Sequence, residues 1–568
     1  MIPLVPLAVL IPLAGAALAL AVPGHRRLQQ GITLVALSAV VALSGFLMWA
    51  VDAHGTLVME VGGWAAPFGI ALVVDRVSAL MLVVSSVVLL GVFLFSIGQG
   101  LADGDEDTPV SIYYPTYLVL GAGVFNAFIA GDLFNLYVGF EILLVSSYVL
   151  ITLGGTAQRI RAGVTYVIVS LVSSVLFLAA IALIYGATGT VNMAQLTLRI
   201  AELPSEVQLL LNLALLIAFG IKAAVFPLAF WLPDSYPTAP APVTAVFAGL
   251  LTKVGVYAII RSQTQLFPQS SVDQLLLVIA GLTLLVGILG AVSQLDIKRL
   301  LSFTLISHIG YMIFGIGMAN AAGFAATIYY IAHHIIVQTT LFLAVGLIER
   351  QGGTTSISGL GGLMRTAPVI AILFFIPMLN LGGIPPFSGF IGKLGLFTVA
   401  AELATPAAYW LMGIGALVSL LTLYALARAW VLAFWRSPKR AEAKIEAKAE
   451  APAAKPATTE ALMLRDREQA LFERLQDAPD ALPQAEQKEI PRLMFGATCG
   501  MVVVSVALTV FAGPLYAFAT RAGEELAEPG RTVELVLGDH GDGGSPGGGS
   551  GDTVPEVAVL DEEGGAHG

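Results

Sequence analysis

Four ionisable side chains lie inside long apolar stretches of the sequence, where a charge is unfavourable. They are Glu141, Lys222, Lys253 and Lys393. A charged side chain at the centre of a membrane helix costs about 2.5 kcal/mol or more, so it requires a partner, water or a function. Burial favours the neutral amine of a lysine, whereas a neighbouring carboxylate favours its ammonium form. A glutamate and lysines held together at this depth can therefore exchange protons.

The depth of these residues argues against a purely structural role. Glu141 lies about ten residues into its apolar stretch, which corresponds to ~15 Å of helix and places it near the bilayer centre. Lys222 and Lys253 lie similarly far from the ends of their own stretches. A lysine near a helix end can extend its side chain to the membrane surface, but one at mid-span cannot reach it. A structural scaffold would gain stability from leucine at these positions.

Three histidines lie in the same kind of environment, namely His308, His333 and His334. Histidine titrates near pH 7, which suits it to pass protons, although a buried histidine can also simply bond a neighbouring carbonyl. The spacing does not resemble a metal site, because no cysteine accompanies the histidines and Glu349 lies about four helical turns away. We therefore predict a proton relay without a metal.

Prolines accompany two of the buried lysines. Pro227 follows Lys222 and cannot donate a hydrogen bond to the carbonyl of Ala223, and Pro385 and Pro386 precede Lys393. Backbone groups without partners are tolerated at membrane depth where they line a hydrated cavity. Two proline-broken segments, one in each half and each with a lysine, indicate an internal repeat, and in transporters such pairs mark the transport site.

The composition supports a membrane location for most of the chain. Of 568 residues, 57% are hydrophobic and 12% charged, and the mean hydropathy is +0.86, whereas soluble domains contain about 25% charged residues. A spanning helix needs about 20 apolar residues. The sequence predicts an all-α membrane protein with about fourteen spans, at 2–22, 31–52, 74–98, 112–130, 132–153, 162–186, 207–231, 241–261, 273–294, 300–318, 323–348, 367–402 (one broken crossing), 407–435 and 493–519.

Several function classes are excluded by residues that the chain lacks. The single cysteine, Cys499, cannot hold an iron–sulfur cluster, which needs about four ligands. The sequence contains neither a dinucleotide-binding G-x-G-x-x-G after a strand nor a P-loop. The first apolar run has no basic residues before it, which favours a first span over a cleaved signal peptide. We expect no cofactor, no metal and no nucleic-acid partner.

The remaining organisation follows from charge and composition. Residues 1–435 form the predicted core of thirteen spans, 436–492 a cytoplasmic loop with helical stretches such as 462–477, and 493–519 the last span. Residues 520–568 are predicted to be an acidic, disordered tail outside the cell. Arginine and lysine concentrate in alternate short loops, which predicts an even number of spans with both termini outside. We expect the protein to lie in a bacterial plasma membrane.

Four sequence runs resemble the D subunit of Mrp-type multisubunit cation/proton antiporters. They are GDLFNLYVGFEILLVSSY from Gly131, KAAVFPLAFWLPDSYP from Lys222, LTKVGVY from Leu251 and GIPPFSGFIGK from Gly383. The resemblance covers roughly residues 60–430, and the superfamily includes the antiporter-like membrane subunits of respiratory complex I. It implies fourteen helices with two inverted five-helix repeats, each containing a broken helix, and proton-path roles for Glu141, Lys222, Lys253 and Lys393.

The resemblance also implies other membrane subunits as partners and exchange of Na+ for H+. One departure is Gln338, which stands where the family often has a lysine after the histidines. The alternative is a proton-pumping membrane subunit of complex I or of a membrane-bound hydrogenase, with the same residues but a redox energy source. A structural scaffold and a permease for an organic solute fit the buried charges less well.

Overall fold

The structure is a computed structural model that describes residues 2–100, 112–268, 272–437 and 489–538. Most of the predicted loop at 436–492, including the stretch at 462–477, and the tail from residue 539 lie outside these ranges. Within them the chain is almost entirely helical. The helices are α1 Leu7–Ala21, α2 Arg26–His54, α3 Arg76–Gln99, α4 Tyr113–Ile129, α5 Leu133–Thr152, α6 Ala157–Thr188, α7 Met193–Ala201, α8 Ser205–Ala223, α9 Leu232–Ser235, α10 Ala241–Val246, α11 Thr252–Arg261, α12 Asp273–Ser293, α13 Ile297–Gly317, α14 Ala321–Gly352, α15 Leu363–Thr366, α16 Pro368–Gly382, α17 Ser388–Leu403, α18 Pro406–Phe434, α19 Arg492–Val510, α20 Ala512–Ala527 and α21 Pro529–Leu537.

Twelve helical stretches in the described part of the chain are long and apolar enough to cross a membrane. Helix α4 has 17 residues, or about 25 Å, and the consecutive helices α16 and α17 form one further interrupted stretch. These elements agree with the predicted all-α membrane fold and are consistent with about fourteen crossings. The only sheet in the described residues is a hairpin between α2 and α3, formed by β1 (Leu57–Glu60) and β2 (Ala71–Val74).

Helix α14 is the centre of the fold. It has 32 residues and is buried continuously from Gly323 to Ile348, although its composition is that of a membrane helix. A helix that is apolar on all sides does not face water and is covered by other helices or by lipid. It packs against α3, α10, α13, α16, α17, α19 and α20. This arrangement removes every side chain on the central part of α14 from lipid as well as from water.

The stretch Ala241–Leu266 is a second fully buried element, and it is not a regular α-helix. Two π-helical segments, Phe247–Leu251 and Ser262–Leu266, flank α11. A π-helical segment locally changes the hydrogen-bond pattern and is frequent at functional sites. Near the C-terminal end of the stretch Ala241–Leu266, Arg261 forms a buried ion pair with Asp75 at 2.5 Å.

Backbone features recur at a constant spacing of 164 residues. The carboxylate of Asp132 caps α5, and that of Asp296 caps α13. A β-bridge joins Asp132 to Asn192, and a second joins Asp296 to Ser356. Helices α6 and α14, which each have 32 residues, also begin 164 positions apart. The two halves of the core thus repeat the same local geometry.

The end of the described chain differs from the expected disordered tail. Helix α19 ends at Val510, and α20 and α21 continue as amphipathic helices to Leu537, so residues 520–527 and 529–537 are helical. Apolar residues of α20 pack against α14, while its polar side forms ion pairs: Glu525 with Arg76 at 3.2 Å and Arg521 with Asp52 at 2.9 Å. The acidic composition did not reveal that Glu525 has a basic partner, Arg76, elsewhere in the chain.

Candidate functional site

Lys222 lies in the last turn of α8, at the first break of the core. The helix ends at Ala223 because Ala224 adopts a left-handed conformation (φ 57°). The indole N–H of Trp231 donates to the carbonyl of Ile221 at 3.1 Å, which satisfies one of the terminal carbonyls. The ammonium of Lys222 is buried and donates to the carbonyl of Ser170 at 3.1 Å and to Ser174 Oγ at 3.2 Å.

The break itself differs from the expected one. We predicted that Pro227 lies within a helix and frees the carbonyl of Ala223 by removing one bond. In the structure α8 has already ended before Pro227, and the chain remains irregular up to Leu232. Lys222 is therefore at a helix end rather than in the middle of a continuous helix. The predicted consequence, a lysine beside an interrupted backbone, still holds.

Glu141 lies on α5 and faces the same region without forming a direct ion pair. Within the described residues no contact of 4.0 Å or less joins its carboxylate to an ammonium, and its Oε1 is buried without a hydrogen-bond partner. Helix α5, which carries Glu141, packs against α6, and Ser170 and Ser174 of α6 accept hydrogen bonds from the ammonium of Lys222. The direct partners of the lysine are thus polar groups of α6 rather than the carboxylate of Glu141.

A small cavity adjoins Lys222. It offers about 20 Å³ for the centre of a water molecule, and a bound water needs at least ~10–15 Å³ by this measure. Ser170 and the phenol groups of Tyr166 and Tyr236 line it, and it extends to Leu251, two residues before Lys253. The hydroxyl of Tyr236 is buried without a partner among the described residues. The cavity can therefore hold a water between the first lysine and the segment that carries the second.

Lys253 is the most deeply buried of the lysines, with 0% of its surface exposed. Its ammonium donates to the carbonyl of Ala248 at 2.6 Å, within the first π-helical segment. No carboxylate accompanies it at ion-pair distance in the described part of the chain. Helix α11, which carries Lys253, packs against α8 beside Lys222 and also against α13, the helix of His308. Lys253 therefore lies on an element between the Lys222 region and the histidines.

The histidines form a compact cluster at the packing of α13 against α14. The rings of His308 and His334 lie 5.2 Å apart, centroid to centroid. His308 Nδ1 is 2.8 Å from the hydroxyl of Tyr330, and its Nε2 is 3.4 Å from Thr422 Oγ1. Both ring nitrogens of His334 are buried without a partner in the described residues. Unpaired polar atoms at this depth are unfavourable unless water or a transferred proton satisfies them.

Lys393 lies on α17, the helix after the second break. Its ammonium donates to the carbonyls of Leu381 and Gly382 at 3.0 and 3.3 Å and to Ser419 Oγ at 2.9 Å. It also lies 5.2 Å from the ring centre of Tyr311. The two carbonyls end α16 just before Pro385 and Pro386, so the break supplies the lysine's partners. Lys222 precedes its break whereas Lys393 follows its own, and the two are not equivalent positions of the repeat.

His333 and Gln338 complete the predicted set on α14. His333 Nδ1 is 2.9 Å from Ser388 Oγ, and its Nε2 has no partner among the described residues. Gln338 donates to the carbonyl of Leu301 at 2.8 Å, and its own carbonyl oxygen is buried and unpaired. Gln338 thus offers a hydrogen-bond acceptor to the interior but no titratable group.

Several polar residues of the site were not predicted from the sequence. They are serine, tyrosine, asparagine and threonine side chains that directly contact the charged groups or their partners, namely Ser170, Ser174, Tyr330, Asn380, Ser388, Ser419 and Thr422. Such residues are common in membrane helices, so type and position alone did not distinguish them. Within the described ranges, no three His, Cys, Asp or Glu side chains come together in an arrangement that could hold a metal ion.

Comparisons with known proteins identify relatives of this arrangement. Residues 130–422 match the family described as "NADH:quinone oxidoreductase/Mrp antiporter, TM". The chain is 42% identical over 442 residues to the D subunit of a Na(+)/H(+) antiporter from Alkalihalophilus pseudofirmus, and the match covers 77% of this chain and 88% of that protein.

Solved structures agree with this match. A chain of the Mrp complex from Dietzia sp. DQ12-45-1b superposes with a TM-score of 0.81 at 31% identity, covering 94% of this chain and 99% of that one. A chain of respiratory complex I from Thermus thermophilus gives a TM-score of 0.72 at 24% identity, covering 94% and 100%. At that identity the second likeness concerns the fold alone.

Proposed function

This chain belongs to the NADH:quinone oxidoreductase/Mrp antiporter family of membrane proteins, and we propose that it is the D-type subunit of a multisubunit Na+/H+ antiporter. In this role it works with other membrane subunits and relays protons through its buried glutamate, lysines and histidines. It is a transporter subunit and carries out no covalent chemistry. The subunit resides in the bacterial plasma membrane, with both chain termini on the outer side.

The observation that supports the relay most strongly is the continuity of the buried groups. Lys222 donates to Ser170 and Ser174, and the cavity beside it extends to Leu251, two residues before Lys253. Helix α11, which carries Lys253, packs against α8 and α13, and the rings of His308 and His334 lie 5.2 Å apart where α13 packs against α14. Helix α17, which carries Lys393, packs against α14, and its Ser388 contacts His333 at 2.9 Å. A proton can thus be exchanged along one line from the first half of the core to the second.

The buried ionisable groups are distributed over the two halves of the core, which are arranged as an inverted repeat. The spacing of 164 residues relates the caps and bridges of α5 and α13. Five membrane crossings separate the starts of these two helices, so they run in opposite directions. Each half contributes one interrupted stretch and one lysine next to it. In transporters, inverted repeats with broken helices surround sites near the membrane centre.

The alternative, a membrane subunit of a redox-driven proton pump, shares the fold and the residue types. The closer likeness in sequence is to the antiporter subunit at 42% identity, against 24% for the complex I chain. The two functions differ in energy source. An antiporter moves protons when a Na+ gradient is applied, whereas a pump subunit requires electron transfer in its assembly.

Glu141 offers a test with closely matched variants. In inverted vesicles that contain the whole complex, Glu141→Gln should reduce Na+-driven proton movement to the background of vesicles without the complex, because the amide is nearly the same size but neutral. Glu141→Asp retains the charge and should keep a measurable rate. Recovery of the partner subunits with each variant shows that the complex has assembled. Undiminished exchange by an assembled Glu141→Gln complex would remove Glu141 from the relay.

A further inference from the structure

The side chain of Asn380 is fully buried at the second break and has a defined orientation. Its Nδ2 lies 3.0 Å from Ser505 Oγ on α19. Its Oδ1 accepts the backbone N–H of Gly389 at 2.9 Å. A backbone amide can only donate, so the atom of Asn380 that faces it must be the oxygen. This contact removes the ambiguity that usually attends the two ends of an asparagine amide.

The orientation of Asn380 fixes the hydroxyl of Ser388. Ser388 Oγ lies 3.1 Å from Asn380 Oδ1 and 2.9 Å from His333 Nδ1. A hydroxyl has one hydrogen, and the asparagine oxygen can only accept, so Ser388 donates to Asn380. Toward His333 the serine oxygen can then only accept a hydrogen bond. Nδ1 of His333 must therefore carry a hydrogen, and in the neutral ring Nε2 has the free lone pair.

The surroundings of His333 Nε2 are consistent with a hydrogen on Nδ1. His333 Nε2 is buried and has no hydrogen-bond partner among the described residues. It faces Gly389, where an added Cβ would lie 3.0 Å from Nε2 and would clash with the backbone oxygen of Asn380. Glycine at this position avoids both close contacts.

We propose that Asn380 and Ser388 are positioning residues that hold His333 in its Nδ1–H tautomer, so that Nε2 is the atom that takes up a proton. The proposal rests on the proposed role of His333 in the relay. A proton arriving at Nε2 converts the neutral ring to an imidazolium, and its release from the same atom restores the starting tautomer. Neither positioning residue changes its own protonation state.

The tautomer can be measured directly by solid-state NMR on the whole complex labelled with 15N-histidine. The chain has seven histidines, and the His333 signal is the one that disappears in His333→Gln. We expect an Nδ1–H ring in the wild type and in Asn380→Asp, which keeps an oxygen toward Ser388. In Asn380→Leu the serine hydroxyl is free to donate to Nδ1, and the signal should change to the Nε2–H form. Ser388→Ala should give a mixture of the two tautomers.

Ser505→Ala is the matched control, since it removes the bond on the opposite end of the same asparagine. It should leave the tautomer unchanged and Na+/H+ exchange within about twofold, whereas Ser388→Ala and Asn380→Leu should lose roughly tenfold in rate, about 1.4 kcal/mol in barrier. An Nε2–H ring in the wild type, or an unchanged tautomer in both Ser388→Ala and Asn380→Leu, would overturn the proposal. Normal exchange by His333→Gln would instead reject the relay role and leave the tautomer assignment intact.

Discussion

Replacing Lys222 with methionine should abolish Na+/H+ exchange by the complex. Methionine has a similar length and flexibility, so it can fill the space of the lysine stem, but it cannot bind a proton. The loss should exceed roughly tenfold, which corresponds to about 1.4 kcal/mol or more in the barrier. The measurement is the pH change inside vesicles after addition of Na+, with equal amounts of assembled complex.

Lys222→Arg distinguishes a proton carrier from a fixed positive charge. Arginine keeps the charge near Glu141 but does not deprotonate in proteins. If Lys222 carries protons, the arginine variant should be as inactive as the methionine variant. Arg199→Met serves as the control, because Arg199 is an exposed cation on α7 outside the line of buried groups. Exchange at the wild-type rate in Lys222→Arg would show that the site needs only the charge.

Replacing Lys253 with methionine should have an equally large effect, for a different reason. Lys253 is fully buried, its one hydrogen bond goes to a backbone carbonyl, and it lies between the Lys222 region and the histidines. Its loss should separate the two halves of the relay while each half keeps its own polar groups. Because a buried charge without a carboxylate partner is unfavourable, the methionine variant should also unfold at a temperature at least as high as the wild type.

The combination of lost exchange and retained stability is the diagnostic result for Lys253. Lys298→Met is a suitable control, since Lys298 is also a buried lysine but pairs with Glu349 at 2.8 Å, away from the line of the relay. It should retain exchange within about twofold, as expected for the loss of a pair whose carboxylate is partly exposed. Unchanged exchange in Lys253→Met would mean that the two halves work independently.

The candidate residues and the two helix interruptions could be proposed from the sequence, whereas the contacts that these residues make could not. Charge in an apolar segment is a strong signal because its energetic cost is high, and it made Glu141 and the three lysines candidates; the three histidines became candidates because histidine titrates near pH 7. Proline predicted both interruptions of the core. It did not reveal that α8 ends before Pro227, since that end depends on the left-handed Ala224 and on Trp231 from a later turn. The order of residue types along the chain does not predict such tertiary contacts.

The partners of the charged groups could not be predicted for a similar reason. Ser170 and Ser174 contact Lys222 from α6, and Ser419 contacts Lys393 from α18. Serines are frequent throughout the membrane helices, and only the packing of helices distant in sequence selects these three. The helical part of the tail was also missed, because Arg76, which pairs with Glu525, lies 449 residues earlier in the chain.

Ordered water in a high-resolution cryo-EM map of the assembled complex tests most directly whether water and protons have access to the buried charges. We predict water density beside Lys222 and Tyr236, and again at the unpaired nitrogens of His334, close enough to link Lys222, Lys253 and the histidines by hydrogen bonds. Apolar side chains filling these spaces, with the lysines and histidines packed dry against them, would contradict the relay.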